Sequence, residues 1–329
     1  MHAFVTGGTG FVGAHVVALL RQQGWHVTLL RRPGTSLPAP APGLNTVIAD
    51  MADADALAQV MPDAPDAVFH IAGNTSMWRR TAAAQYRDNV LGTRAVVAAA
   101  QRRGAGRLIL TSSISAYGLH RQPINDDTPS NAARSPIAYH RTKYEAEQLV
   151  KQAVEQGLDA VILNPCGIIG PGDRHNWSQL IRLIDSGQLP GVPPGAGSFC
   201  DVREVAKAHL AAFHQGRRGA HYILAGVDAS FLALAQTAAQ LLGRTPPQRT
   251  VPAWVLRVAG QLLPLVHRDA TREPRLTPEK VTMITRRVVA DGQRAERELG
   301  FDASVPLATM LADCIQWMRE EGLLAPAAD

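Results

Sequence analysis

The chain opens on a short apolar run, His2-Ala3-Phe4-Val5, that enters a glycine-rich turn and then an amphipathic stretch reaching about Gln23. The alternation repeats. Apolar runs at 25–30, 45–50, 66–72, 107–113 and 160–164 are separated by helical patterns near 53–60, 81–103 and 137–156. Short, continuously apolar runs mark strands buried on both faces, and parallel strands need crossover connections that are almost always right-handed. The pattern predicts an α/β fold with a doubly wound parallel sheet over residues 1–165. Beyond Pro165, turn-rich segments at 167–173 and 189–197 flank a short helix near 176–186, and further helices are predicted near 202–215, 230–242, 252–263, 291–299 and 304–322. Residues 166–329 are expected to build a smaller, mostly helical substrate-binding lobe over the carboxyl edge of the sheet, with at least one segment returning to the main domain.

Composition narrows the class. With 329 residues, 46% of them apolar, the chain can bury a large core, enough for one large α/β domain or two domains sharing a cleft. The formal net charge is +5 and the pI near 9.4. The basic residues come in scattered pairs without interleaved aromatics, so no nucleic-acid partner is expected and the charge reads as an aid to binding an anionic cofactor. Cys166, Cys200 and Cys314 are odd in number and widely spaced, which predicts neither a disulfide framework nor a metal site and suits a reducing cytoplasm. Met1-His2 leads straight into the first strand, so no secretory leader is expected. The longest apolar stretch, Val251 to Val266, is interrupted by Arg257, Gln261 and Pro264 and is too short to span a bilayer. It is expected to be a core or cleft-wall helix, with attachment to a membrane interface as the alternative.

The candidate chemistry sits at strand ends. After the first strand comes Thr6-Gly7-Gly8-Thr9-Gly10-Phe11-Val12-Gly13, where Gly8, Gly10 and Gly13 fit a dinucleotide fingerprint and Gly7, Gly10 and Gly13 fit its three-residue-spaced variant. Glycines there permit a tight strand-to-helix turn and let backbone N–H groups approach a pyrophosphate at the helix N-terminus, as in a Rossmann-type sheet. A cofactor with a free ribose 2′-hydroxyl is usually held by an acid about 20 residues further on. Here no Asp or Glu occurs between Gly13 and Asp50, and the second strand runs into Arg31-Arg32. Two guanidinium groups at that place favour NADP(H) over NAD(H). Further on, Ser113 ends the run 107–113, and Tyr139 and Lys143 follow on a predicted helix. Residues at i and i+4 share a helix face, roughly 5 to 6 Å apart at Cβ, so the ammonium is expected to pull the phenol toward neutrality and make it a usable acid.

With these motifs in order, the chain resembles the extended short-chain dehydrogenases/reductases, of the NAD-dependent epimerase/dehydratase superfamily, and within them a dihydroflavonol-reductase-like branch. The resemblance runs nearly end to end. It implies that Tyr139 protonates a carbonyl oxygen, that Lys143 lowers its pKa and holds the nicotinamide ribose, and that Ser113 orients the substrate oxygen. It places Phe11, Val12, Asp50, Met51, Ile71, Ala72, Gly73, Asn89, Thr111 and Pro165 around the cofactor, with Asp50 at the adenine. It also implies a homodimer paired through the helices 81–103 and 137–156. Sugar-nucleotide dehydratases of the family carry an acidic pair after the strand's serine or threonine; Ile114 and Ser115 stand there instead, which disfavours dehydration.

The substrate is read from the loops. Asn74-Thr75-Ser76-Met77-Trp78-Arg79 is expected at the nicotinamide pocket, with Ser76, Trp78, Ser113 and Cys166 as substrate contacts and His175, Trp177, Phe199 and the turn 190–195 as an apolar wall. That suits reduction of an apolar or aromatic ketone or aldehyde. Arg174 and Arg182 would instead clasp the diphosphate of a nucleotide-linked sugar, the mark of an epimerase with tightly bound cofactor. A dinucleotide sensor without turnover is the third reading, and the intact Ser113, Tyr139 and Lys143 argue against it.

Overall fold

A computed structural model describes residues 1–34, 42–267 and 273–324. The first half runs β1 (His2–Thr6), α1 (Phe11–Gln22), β2 (His26–Arg31), β3 (Leu44–Ile48), α2 (Ala54–Val60), β4 (Ala67–His70), α3 (Ala82–Tyr86), α4 (Gly92–Arg102), β5 (Arg107–Thr111), α5 (Ala138–Glu155) and β6 (Ala160–Pro165). There follow β7 (Gly167–Ile169), α6 (Trp177–Asp185), β8 (Ala196–Asp201), α7 (Val202–Gln215), β9 (His221–Leu224), β10 (Val227–Ser230) and α8 (Phe231–Leu241). The last elements are α9 (Ala253–Val266), α10 (Pro278–Ile284), β11 (Arg287–Val288), α11 (Gln293–Leu299) and α12 (Leu307–Glu320).

Seven parallel strands form the main sheet in the order β3-β2-β1-β4-β5-β6-β9. The direction of winding reverses between β1 and β4, and the carboxyl ends of these two strands flank the crevice where such sheets bind ligands. One face packs on α1 and α7 through Val16, Leu20, Trp25, Val205 and Leu210; the other packs on α2, α4 and α5 through Leu57, Val96 and Val150. The seventh strand, β9, lies among the segments assigned by sequence to the lobe. So do α7 and α11, which return to the main domain beside it. The lobe has its own core of Ile181, Phe199, Leu234, Met310 and Ile315, and a small sheet in which β8 pairs with β7, β10 and β11.

Two elements depart from the sequence-based expectation. The helix expected over 81–103 is three pieces: α3, a π-helical turn at Arg87–Leu91, and α4. Its widened turn carries the buried Asn89. The second departure is Trp177 and Phe199, expected on a cleft wall. They lie 5.1 Å apart edge to face in an aromatic group with Phe231 that belongs to the core of the lobe. Packing that group buries more aromatic surface than a cleft wall would.

Three buried histidines hold elements together, His70 and His209 joining helices to strands and His140 joining α5 to α10. Thr93 donates to the Asn89 carbonyl at 2.7 Å, which spends its one hydroxyl proton. At 2.9 Å from it, His70 Nε2 must therefore donate, and Nδ1 accepts from Thr6 Oγ1 at 2.7 Å. His209 Nδ1 likewise donates to the Val205 carbonyl at 2.7 Å while Nε2 accepts from Thr111 Oγ1 at 2.7 Å. His140 sits between Ser135 and the Met283 sulfur. Burial drives His70 down to about 3 and His140 and His209 down to about 4.

All three must be neutral in the fold, whereas the unfolded chain takes up these protons below about 6.5. The stability they confer is complete above that pH and is lost as pH falls toward 4. Between pH 7 and pH 5 urea unfolding should lose about 2 kcal/mol for each histidine. His209→Gln should shrink that loss by about one histidine's share; an unchanged loss would refute the assignment.

Candidate active site

The glycine turn after β1 is built by close approach. Gly7 adopts φ +73°, and a Cβ there would stand 2.4 Å from the Ala72 nitrogen. A Cβ on Gly13 would stand 2.1 Å from the Gly7 carbonyl oxygen, so the first turn of α1 lies directly on the loop. Gly8 packs inward, where a Cβ would meet Leu29 and Val17. Gly10 meets nothing nearer than the Gly7 oxygen at 3.2 Å and keeps an open face. Of the two glycine patterns, the one through Gly7, Gly10 and Gly13 carries the turn, and Gly8 serves core packing. Gly10 caps α1 without a side-chain hydrogen bond, and the first turn has no acid, which leaves the start of the helix open to an anionic group.

The rest of the crevice fits a dinucleotide. Ile71, Ala72 and Gly73 follow β4, and the Ile71 and Ala72 nitrogens bond Thr6. A Cβ on Gly73 would fill a cradle 3.2 Å from Lys143 Nζ. Phe11 and Val12 open α1, Phe11 edge-on to His15 and Val12 against the core. Arg31 ends β2 with its Nε enclosed and without a partner among the described residues. Arg32 is 74% exposed and 3.7 Å from Asp88. Asp50, after β3, accepts the Ala52 N–H and pairs with Arg87, which together hold its carboxyl below the ordinary value. Met51 packs beside Gly92. Asn89 holds the loop after β4: its Oδ1 accepts the Asn74 N–H at 2.7 Å and its Nδ2 donates to the Asn74 carbonyl and to Thr142 Oγ1.

At the end of β5, Ser113 accepts the Ser115 N–H, and its hydroxyl lies close enough to Tyr139 to favour the phenolate. Tyr139 and Lys143 are buried on α5. Lys143 Nζ donates to the Thr111 carbonyl at 3.0 Å. Thr111, expected at the cofactor, turns its hydroxyl to His209 and offers only that carbonyl to the site. Burial lowers Lys143 to about 8, opposed by the charge of Glu147. Burial also raises the Tyr139 phenol, with the Ser113 hydroxyl pulling it back. The expected drop of the phenol toward neutrality is thus not met: enclosure outweighs what its neighbours supply.

Glu147, not singled out by sequence, continues the i, i+4 series from Tyr139 through Lys143. Its Oε1 accepts the Ser112 hydroxyl at 2.5 Å and the Asn164 Nδ2 at 2.6 Å. Asn164 Nδ2 also donates to the Ser113 carbonyl at 3.0 Å, just before Pro165 ends β6. An acid four residues beyond Lys143, on the same helix face, was the signal available in the sequence.

A cavity of about 290 Å³ opens beside Tyr139, walled by Met77, Trp78, Ala82 and Ile137, with Arg79 and Glu279 among its polar residues. Ser76 lines it too, its hydroxyl donating to Glu273 at 2.8 Å. The Met77 N–H also donates to Glu273, and Thr277 donates to the Met77 carbonyl, so the segment before α10 clasps this loop. Cys166 lies elsewhere, against Ile114, Tyr117 and Ile223, its thiol pushed well up by burial. Arg174 pairs with Glu321 and lies over Trp317, and Arg182 donates to the Arg174 carbonyl at 3.0 Å; neither lines the cavity. His175 is exposed.

The family model described as NAD dependent epimerase/dehydratase family matches residues 3–225. A provisionally named dihydroflavonol 4-reductase of Synechocystis sp. is 34% identical over 97% of this chain and 95% of its own. A 4-hydroxy-2-methyl-3-oxo-4-farnesyl-3,4-dihydroquinoline-1-oxide ketoreductase of Stigmatella aurantiaca is 29% identical, with 93% of each chain covered. The crystal structure of gox2253 superposes with a TM-score of 0.84 at 30% identity, over 98% of this chain and 99% of its own.

The charge of Glu147 raises Lys143 against the pull of burial. Glu147→Gln should therefore move the Lys143 titration below about 8, followed by its reaction with an amine-directed reagent. A value that stayed put or rose would show that the carboxylate does not sustain the ammonium.

Proposed function

The chain belongs to the NAD dependent epimerase/dehydratase family, the extended short-chain dehydrogenases/reductases, and we propose that within it the protein is an NADPH-dependent reductase of an apolar or aromatic ketone or aldehyde. The observation that carries this reading is the cavity that Tyr139 lines together with Met77, Trp78 and Ile137. A carbonyl compound with an apolar body finds there the Tyr139 side chain and the apolar surfaces of Met77, Trp78, Pro136 and Ile137, in a cavity that also holds Arg79, Arg141 and Glu279. Arg174 and Arg182, on which a nucleotide-sugar reading depends, are spent on Glu321 and a backbone carbonyl.

A bound nicotinamide dinucleotide would supply the hydride. The residues of the chain manage the proton. Burial keeps Tyr139 in its acid form, so it delivers a proton to the carbonyl oxygen as negative charge develops there. The Lys143 ammonium, one helical turn from Tyr139 and fixed by the Thr111 carbonyl, would lower the cost of the phenolate left behind. Ser113, in contact with the phenol, donates to the same oxygen. For the 2′-phosphate of NADP, the enclosed Arg31 and exposed Arg32 at the end of β2 are the cationic residues, and no acid stands in their place.

Nicotinamide fluorescence should report tighter binding of NADPH than NADH. Arg31→Ala with Arg32→Ala should erase most of that preference while leaving NADH binding within about threefold, since two charge-assisted contacts are removed from one cofactor only. Tyr139→Phe should slow carbonyl reduction by about 10² to 10⁴ without loss of cofactor binding. Full activity in that variant on every carbonyl reduced would overturn the reading.

A further inference from the structure

Helix α9 turns its apolar side outward. Trp254, Val258 and Leu262, spaced i, i+4 and i+8 and so on one stripe, are 66%, 50% and 57% exposed, and Leu263 beside them is 47% exposed. A surface helix of a globular protein normally buries such a stripe. The inner side of α9 is instead the one with Gly260, which lets it lie against α10: a Cβ there would stand 2.6 Å from Val281 Cγ2. Arg257 and Gln261 flank the stripe, both exposed, and Arg249 is exposed just ahead of the helix. Neither arginine has an ion-pair partner among the described residues. Between Asp228 and Asp269 the sequence holds no Asp or Glu, while it holds four arginines.

We propose that α9 docks on the surface of an anionic bilayer, with Trp254, Val258 and Leu262 in the headgroup region and Arg249 and Arg257 on lipid phosphates. Among the described residues no helix is long and apolar enough to cross a membrane, so this is attachment in the plane of the interface. Tryptophan and flanking arginine suit that depth, the ring being amphipathic and the guanidinium able to reach outward. A second copy of the chain is the poorer occupant. Stacking this face on itself would bring one acid-free, basic segment against another, with no opposite charge to answer it.

The position has a consequence for the substrate. Glu279, on α10 directly behind α9, lines the cavity that holds Tyr139, and Thr277 at the start of α10 bonds the Met77 carbonyl on its wall. Docking through α9 sets the cavity beside the lipid phase, from which an apolar carbonyl compound would be drawn; this part rests on the reductase reading, whereas docking does not.

The test is flotation of the full-length protein, without substrate, on vesicles of phosphatidylcholine mixed with phosphatidylglycerol and on vesicles of phosphatidylcholine alone. Binding to the anionic vesicles should exceed binding to the neutral ones by about tenfold or more, as two basic residues near a charged surface predict. Trp254→Gln, Val258→Gln and Leu262→Gln together should lower it at least about tenfold, with thermal unfolding and NADPH binding unchanged, because the three side chains are already exposed. Failure to float on either vesicle overturns the proposal, as does equal binding to both. So does a dimer in sedimentation that the triple variant converts to monomer while neither protein floats. Because flotation is read without turnover, an inactive reductase assay would sink the functional reading and leave this one standing.

Discussion

A lysine ammonium enclosed at the carboxyl edge of a parallel sheet has to be answered by the protein around it, because leaving a buried charge unpaired costs far more than a single hydrogen bond contributes. Lys143 meets that requirement with the Thr111 carbonyl and the nearby Glu147 charge. Glu147 in turn holds its Oε1 between Ser112 on one strand end and Asn164 on the next, with Lys151 3.8 Å from its Oε2. Through these bonds two buried side chains fix α5 against the ends of β5 and β6. Ser113 lies between those ends, so the position of its hydroxyl is set by the same bonds that anchor the helix.

The cofactor side rests on backbone geometry instead. Gly7 and Gly13 leave no room for a Cβ, so β1, α1 and the loop after β4 approach each other more closely than side chains would permit. Gly73 extends this closeness to the lysine, since a Cβ there would face Nζ at 3.2 Å. Asn89 keeps the same loop in place from the other direction, through a π-helical turn that departs from regular helix. Such turns concentrate at functional sites because one extra residue re-aims a side chain that α-helical geometry would point elsewhere. Glycine loop, asparagine and lysine thus bound one crevice at the reversal of the sheet.

The lobe contributes differently on its two sides. Around Phe199, Trp177 and Phe231 it is an ordinary packed core. Around Glu273, Thr277 and Glu279 it reaches back to the loop 74–79 and closes the cavity beside Tyr139 with carboxylate and hydroxyl contacts. A wall held by a few polar bonds from a distant segment is easier to vary than the crevice behind it, so its lining can change without disturbing Ser113, Tyr139 and Lys143.

What the sequence determined by itself is local. Runs of buried apolar residues, the glycines after β1, the arginines in place of an acid after β2, and the Tyr139–Lys143 spacing are legible because strand period, turn conformation and helix period act over a few residues. What tertiary structure decided is how distant side chains meet. No local pattern says that β9 completes the sheet, that Trp177 and Phe199 fill a core instead of a cleft, that Arg174 is taken by Glu321, or that Glu273 closes on Ser76 across 197 positions. Nor does the spacing of Tyr139 and Lys143 reveal the sign of the phenol's shift. The i+4 relation sets their face of the helix, but enclosure by the sheet and the loop after β4 raises the phenol, since desolvation depends on everything packed around a group and not on its neighbours in sequence.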